Sequence, residues 1–442
     1  MGNIVHSKTY FSLMKIPNKF LSILFLLFAQ FTLVAQVIRG PYLQSVSPSQ
    51  AIVRWRTEQA TESKVVFGDS PNKLNKSVES AQKVTEHELL ISNLKPNKKY
   101  YYTIGDSKNL EPATEKRFIL TAPKLGSTQP VRIWALGDFG SGSKNQLEVK
   151  NAIINYTKNH RPDAWIWLGD NAYSKGLDEE YQRKVFPIYQ EDFFQNLNLY
   201  PAPGNHDYAG KHDPAEPPYF KIFNMPVQGE LGGVPSGNES YYSVNYGQVH
   251  LVSIDSELME PKGLQVMDGK GAQFEWLEKD LASNKLPWTI VYFHKPPYSK
   301  GSHDSDTEKD MVKMRENVNP LFEKYKVDIV MAGHSHVYER THPLRGHYGI
   351  NNTFDASKHI VEKTSAPNEY VVGKEGQGVI YIVNGSGGQL GGQREGYPLK
   401  SSIYSNNKIG GSMILDITKS KLEAVWLGSD GEIHDRFSIT KK

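Results

Sequence analysis

The chain has 442 residues, 38% hydrophobic and 22% charged, the composition of a folded globular protein with room for two or three domains. Its 51 basic and 48 acidic residues leave a formal net charge of +3 with no long block of one sign, too slight a balance to imply a nucleic acid or an anionic membrane as partner. Cysteine is absent, so thiolate metal sites, disulfides and cysteine nucleophiles are excluded, and any metal must be held by oxygen and imidazole nitrogen.

In chain order, the first element is an address. From Met14, two lysines precede an apolar run from Phe20 to Ala35 that is broken only by Ser22, Gln30 and Thr32. The run is short for a membrane span and has the layout of a secretory signal, with cleavage expected after Ala35. Residues 1–35 therefore read as a signal peptide. The mature chain is expected to be secreted or periplasmic, without a membrane span; an uncleaved anchor is the alternative.

Residues 36–123 carry short alternating runs, "AIVRWRT", "SKVVFG", "ELLISNL", "KYYYTIG" and "KRFILTAP", separated by turn residues. That spacing predicts a small antiparallel sandwich, a packing or positioning unit without clustered ligand-type side chains. "PKLGSTQP" supplies a linker at 124–130. From residue 131 to 442 apolar runs end in Gly followed by Asp or Asn, or in His, with helical stretches such as "NQLEVKNAIINYTKNH" and "AQFEWLEKDLA" between them. Buried strands alternating with helices predict an α/β domain, and the hairpin-like C-terminal segment is expected to add strands to it.

Five strand-end turns carry potential metal ligands: Asp138, Asp170 with Tyr173, Asn205 with His206, His294, and His334 with His336. Loops at the carboxyl ends of such strands converge on one edge, so residues distant in sequence can meet there. A lone histidine after a strand is more often a satisfied core residue. A carboxylate, amide and imidazole set on five polar turns is harder to explain that way. Tyr173 alone could simply pack against a helix.

The motif order GDFG, GDNAY, GNHD, YFH and GHSH resembles the calcineurin-like metallophosphoesterases and, within them, the purple acid phosphatases. "RGPYLQ" at 39–44 resembles that family's N-terminal, fibronectin type III-like domain. The resemblance implies a two-sheet α/β/β/α sandwich preceded by the small all-β sandwich. Relatives mostly carry histidine where Gly140 stands, and Tyr173 can restore the missing donor. Position by position, the resemblance implies Fe(III) bound by Asp138, Asp170, Tyr173 and His336. It implies a divalent ion (Zn, Fe or Mn) bound by Asp170, Asn205, His294 and His334, with Asp170 bridging.

The implied activity is hydrolysis of phosphate monoesters by attack of a metal-bound hydroxide, with a small phosphate ester as substrate and His206 and His303 as substrate-contacting or proton-donating groups. A phosphodiesterase or nucleotide hydrolase on the same centre is a second reading. A catalytically inert cell-surface binding protein is a third, which the full set of seven ligands disfavours. Arg340 reads as a structural ion-pair partner rather than a phosphate clamp. The Gly-rich "NGSGGQLGG" at 384–392 reads as a site wall rather than a P-loop, and His342, His347 and His359 as solvated. Oligomeric state has no signature in the sequence.

Overall fold

The computed structural model describes residues 1–2, 36–208, 217–372 and 378–442. The expected signal peptide lies outside the described residues apart from Met1 and Gly2. Among the described residues no helix is long and apolar enough to cross a membrane.

The N-terminal unit comprises β1 (Val37–Gln44), β2 (Ala51–Ser70), β3 (Lys73–Ile91), β4 (Lys99–Gly105) and β5 (Phe118–Leu120). Two runs expected to be separate strands, "AIVRWRT" and "SKVVFG", are one 20-residue strand, because the polar stretch between them stays extended. The register of β2 against β3 shifts between Arg56 and Ser63. There β2 passes from pairing with β1 to pairing with β4. Bulges bend and twist a strand, so one continuous sheet folds over itself. Leu43, Val53 and Trp55 from one half pack with Val65, Phe67, Tyr102 and Ile104 from the other in a single core.

The remaining chain supplies β6 (Val131–Leu136), α1 (Lys144–Thr157), β7 (Ala164–Leu168), α2 (Asp178–Lys184), β8 (Asn198–Ala202), β9 (Tyr242–Tyr246) and β10 (Val249–Ser253). Then come α3 (Ala272–Ser283), β11 (Trp288–Phe293), β12 (Ile329–Ala332), β13 (Tyr338–Thr341), β14 (Thr364–Ala366) and β15 (Glu369–Val372). The last strands are β16 (Ile380–Asn384), β17 (Ser402–Asn406), β18 (Gly411–Ile417), β19 (Lys421–Gly428) and β20 (Ile433–Lys441).

They form two sheets, one in the order β14-β15-β20-β19-β18-β6-β7-β8 and the other β17-β13-β16-β12-β11-β10-β9. The expected helices and the C-terminal strands are all present. Strand alternation builds the layers. Ile290, Tyr292, Ile329 and Met331 join the core shared with the first sheet. Their neighbours Val291, Phe293, Val330 and Ala332 face Trp276, Leu277 and Leu281 of α3. Trp134 and Trp165 stack at 3.8 Å between ring centroids and pack on Phe193. The result is the expected pair of sheets with helices outside.

Arg340 on β13 locks the two sheets together. Its Nε and Nη2 donate to Asp435 on β20 at 2.6 and 2.8 Å, and Tyr338 adds a third bond to the same carboxylate at 2.8 Å. Arg340 is 1% exposed, which gives it the structural role expected from sequence. His347 departs from expectation. It is buried, because the segment after Leu344 folds back over the core and Tyr298 donates to the His347 carbonyl. Asp435→Ala would strand the Arg340 charge in the interior, and chemical denaturation should show a loss of about 3–5 kcal/mol.

Candidate metal centre

All five polar turns leave the carboxyl ends of parallel strands: three from β6, β7 and β8 in one sheet, two from β11 and β12 in the other. Face-to-face packing of the sheets brings those ends to one cleft. Asp138, Asp170 and His334 all have left-handed backbone, with φ of 57°, 52° and 67°. Non-glycine residues rarely adopt that conformation, and its local cost is tolerated where the surroundings fix it. Here the fixing is visible. The Asp138 carboxylate accepts from the His334 amide at 2.9 Å, and Asp170 Oδ1 accepts from the His206 amide at 2.8 Å.

Two glycines permit the approach. A Cβ on Gly204 would lie 2.3 Å from the Asp170 nitrogen. A Cβ on Gly140 would lie 1.9 Å from the Asn171 carbonyl oxygen, so no histidine fits at 140 on this backbone. Tyr173 reaches into the same cluster. Its Oη sits 2.9 Å from Asp138 Oδ1, 3.2 Å from Asp170 Oδ2 and 3.1 Å from His336 Nε2. The ring packs against His206 and His336 while its oxygen points into the polar cluster.

Beside this group lies a second. His294 Nε2 is 3.2 Å from Asp170 Oδ2, 3.1 Å from Asn205 Oδ1 and 3.2 Å from His334 Nδ1. The Leu168 carbonyl, 3.0 Å from His294 Nδ1, can only accept, so that nitrogen carries the proton. A neutral His294 therefore aims a bare lone pair at oxygens and another imidazole. A second proton on the ring or a cation at that position would relieve the repulsion. Bonds of about 2.0–2.2 Å to one ion place neighbouring donors roughly 3.0–3.4 Å apart, which matches both groups. The donor set is oxygen and imidazole only, suited to hard and borderline ions.

Electrostatics agree with this. Burial holds the His334 imidazole down at about 4, in the neutral form a metal needs. Burial opposes charge on His294 as well, but the Asp170 carboxylate outweighs it and pushes the imidazole up to about 10. A cation binding there must displace that proton. Burial, followed by Asp138 and Asp170, raises the Tyr173 phenol well above the ordinary tyrosine range. Only a strongly polarising cation would convert it to phenolate.

Both histidines expected at the mouth are there, each about one-third exposed. His206 Nδ1 donates to the Ser174 carbonyl at 2.5 Å, which turns Nε2 to 3.7 Å from Asp170. His303 stacks on His334 with ring centroids 3.7 Å apart, and its Nδ1 meets Glu308 at 2.8 Å. Glu339 holds the loop that carries His303, accepting from Ser299 Oγ at 2.5 Å and from the Lys300 amide at 3.2 Å. The Gly-rich stretch lies against the same turns, with the Gly391 amide on the His336 carbonyl at 2.9 Å.

Two acids escaped the sequence reading. Glu308 lies 3.9 Å from His334 Nε2 as well as against His303; burial would raise its carboxyl, but bonds from His334, the Asp304 amide and His303 bring it down to about 2. Nothing in "SDTEKD" marks it. Asp207 is fully buried and accepts from Tyr181 Oη at 2.5 Å, the Gly204 amide at 2.8 Å, and Asn171 through Nδ2 at 3.0 Å and its amide at 3.1 Å. It ties the Asp170 turn to the Asn205 turn. The final letter of GNHD was its available signal.

Layered sheets with a metal-seeking rim at their carboxyl ends define a metallophosphoesterase. Residues 131–338 match the family described as calcineurin-like phosphoesterase, and residues 39–121 match the purple acid phosphatase N-terminal domain. "Probable purple acid phosphatase 20" of Arabidopsis thaliana is 26% identical over 319 residues, 68% of each chain. "Probable inactive purple acid phosphatase 1" of the same organism is 26% identical over 384 residues, covering 80% of this chain and 57% of its own. The solved purple acid phosphatase from yellow lupin seeds shares the fold with a TM-score of 0.68 at 23% identity, over 91% of this chain and 74% of its own. The chain thus carries a calcineurin-like phosphoesterase domain behind a purple acid phosphatase N-terminal domain, the arrangement of a metal-dependent phosphatase.

Asp207→Ala would leave those buried donors unpaired and loosen both turns. Titration calorimetry on metal-free protein should show affinity for added Zn²⁺ lower by about 10–100-fold.

Proposed function

We propose that this protein is an exported binuclear-metal phosphatase acting on small phosphate monoesters. The observation that carries the reading is the position of Tyr173 Oη, within 3.2 Å of two carboxylates and an imidazole nitrogen. Asp138, Asp170, Tyr173 and His336 would hold Fe(III), since phenolate is a hard, strong donor. Asp170, Asn205, His294 and His334 would hold a divalent Zn, Fe or Mn. When bound, the pair supplies Lewis acidity toward a phosphoryl oxygen and lowers the pKa of a coordinated water. Export rests on the apolar run Phe20–Ala35, and the division at 36–123, 124–130 and 131–442 follows the change of sequence texture.

The chain's own groups do the rest. Three protein negative charges against five metal charges leave a positive cleft that favours a phosphate dianion. His206 stands at the mouth with Nδ1 committed to Ser174, so Nε2 is free to meet a phosphoryl oxygen. His303 is committed to Glu308 through Nδ1, so its Nε2 is the nitrogen that can carry a proton to the leaving oxygen. Relatives named as inactive show that membership alone does not establish activity; the convergence of the complete donor set supports it here.

The iron-loaded protein should be coloured by a tyrosinate-to-Fe(III) charge-transfer band in the visible, and Tyr173→Phe should abolish the band. p-Nitrophenyl phosphate should be turned over faster than its bis ester. A colourless protein that takes up two divalent ions, or a clear preference for the bis ester, would contradict the proposal.

A further inference from the structure

Two of the places where the N-terminal unit touches the catalytic domain contrast. Tyr42 and Arg54 bind the carbonyl of Ile222 at 2.8 and 2.7 Å, and Arg54 also reaches the Lys221 carbonyl at 2.8 Å and Asn224 at 2.7 Å. None of these partners carries a candidate ligand. The second place differs. Arg39 and Arg56 face each other across β1 and β2, a pairing of like charges that is unfavourable unless an anion sits between them.

Asp178, the first residue of α2, is that anion. Arg56 grips its carboxylate through two nitrogens at 2.6 and 2.9 Å, and Arg39 adds a third bond at 2.9 Å. Arg39 also bonds the Asp178 carbonyl at 3.2 Å and Gln182 at 2.7 Å, and Gln182 returns a bond to the Ile38 carbonyl at 2.6 Å. Arg39 is 3% exposed, so this side of α2 is seated on the N-terminal unit.

Glu180, Tyr181 and Lys184 on α2 bond the loops that carry the candidate ligands. Glu180 accepts from the amides of Ser174 at 2.5 Å, Lys175 at 2.8 Å and Leu177 at 3.2 Å. Lys184 donates to the Tyr173 carbonyl and to Glu180. Tyr181 donates to Asp207, which joins the Asp170 and Asn205 turns. The Ser174 carbonyl, fixed by this arrangement, receives His206 Nδ1. One seven-residue helix thus links the arginine pair to Tyr173, Asp170, Asn205 and His206.

We propose that Arg39, Arg56 and Asp178 are positioning residues, through which the N-terminal unit sets the Tyr173 loop and the orientation of His206. The proposal rests on the reading of Tyr173 as a metal ligand. A rigid bidentate clamp suits this task, since small misplacements of reacting groups are costly in rate.

The test uses full-length protein, wild type beside Arg56→Ala and Asp178→Asn, with Arg54→Ala as an interface control. Hydrogen exchange of the 174–177 amides, followed on metal-free protein, should quicken about tenfold in the first two variants and stay unchanged in the control. On iron-loaded protein the charge-transfer band should shift in the same two variants. Their kcat should fall about tenfold, with KM changed less than about twofold. The Arg56→Ala/Asp178→Asn double variant should fall no further than either single one.

Variants that melt earlier yet keep wild-type exchange at 174–177 and wild-type kcat would overturn the proposal. Faster exchange in the variants of a wild type that shows no band would leave the mechanical coupling standing and refute the metal reading instead.

Discussion

The structure depends on a concentration of lone pairs that needs protons or cations between them. Two carboxylates, a phenol, an amide oxygen and three imidazoles meet at the carboxyl ends of two packed sheets. Oxygens and unprotonated nitrogens at these separations repel unless protons or cations lie between them. Without metal the Asp170 carboxylate favours a second proton on His294, and burial with the two carboxylates keeps the Tyr173 phenol protonated. On the proposed reading, the same donors would turn to a metal in place of those protons. The fold around them is arranged to stop the turns from relaxing apart.

That restraint has identifiable parts. Asp138, Asp170 and His334, three of the candidate ligands, sit in left-handed backbone, each held by amides or carboxylates of a neighbouring turn. Glycines before and between the ligands let turns from different strands approach within van der Waals distance. Asp207 and Glu339 collect several donors each from the loops behind the site. Farther out, the Arg340–Asp435 pair fixes one sheet against the other. On the opposite side the arginine pair of the N-terminal unit seats α2. Rigidity at the rim is thus distributed over the whole chain.

Much of this was legible in the sequence. The seven candidate ligands, Asp138 to His336, each follow an apolar strand, so their types and their convergence could be inferred from strand-end placement and family resemblance. Gly140 and Tyr173 read as compensating, and on this backbone a side chain at 140 would collide with Asn171. What escaped depends on contacts between segments remote in sequence. Glu308 means nothing until His334 and His303 are beside it. Arg39 and Arg56 look like ordinary strand residues until Asp178 lies between them. The long β2 strand was missed because an exposed polar stretch reads as a turn although its backbone stays extended. His347 was misjudged because a polar segment folded onto the core.

The most direct measurement is an anomalous-scattering map of the crystallised holoprotein, recorded at the iron edge and at the edge of the second metal. The account requires two peaks, one among Asp138, Tyr173 and His336 and the other among Asn205, His294 and His334, with Asp170 between them. A single peak, or none within bonding distance of Tyr173, would contradict it.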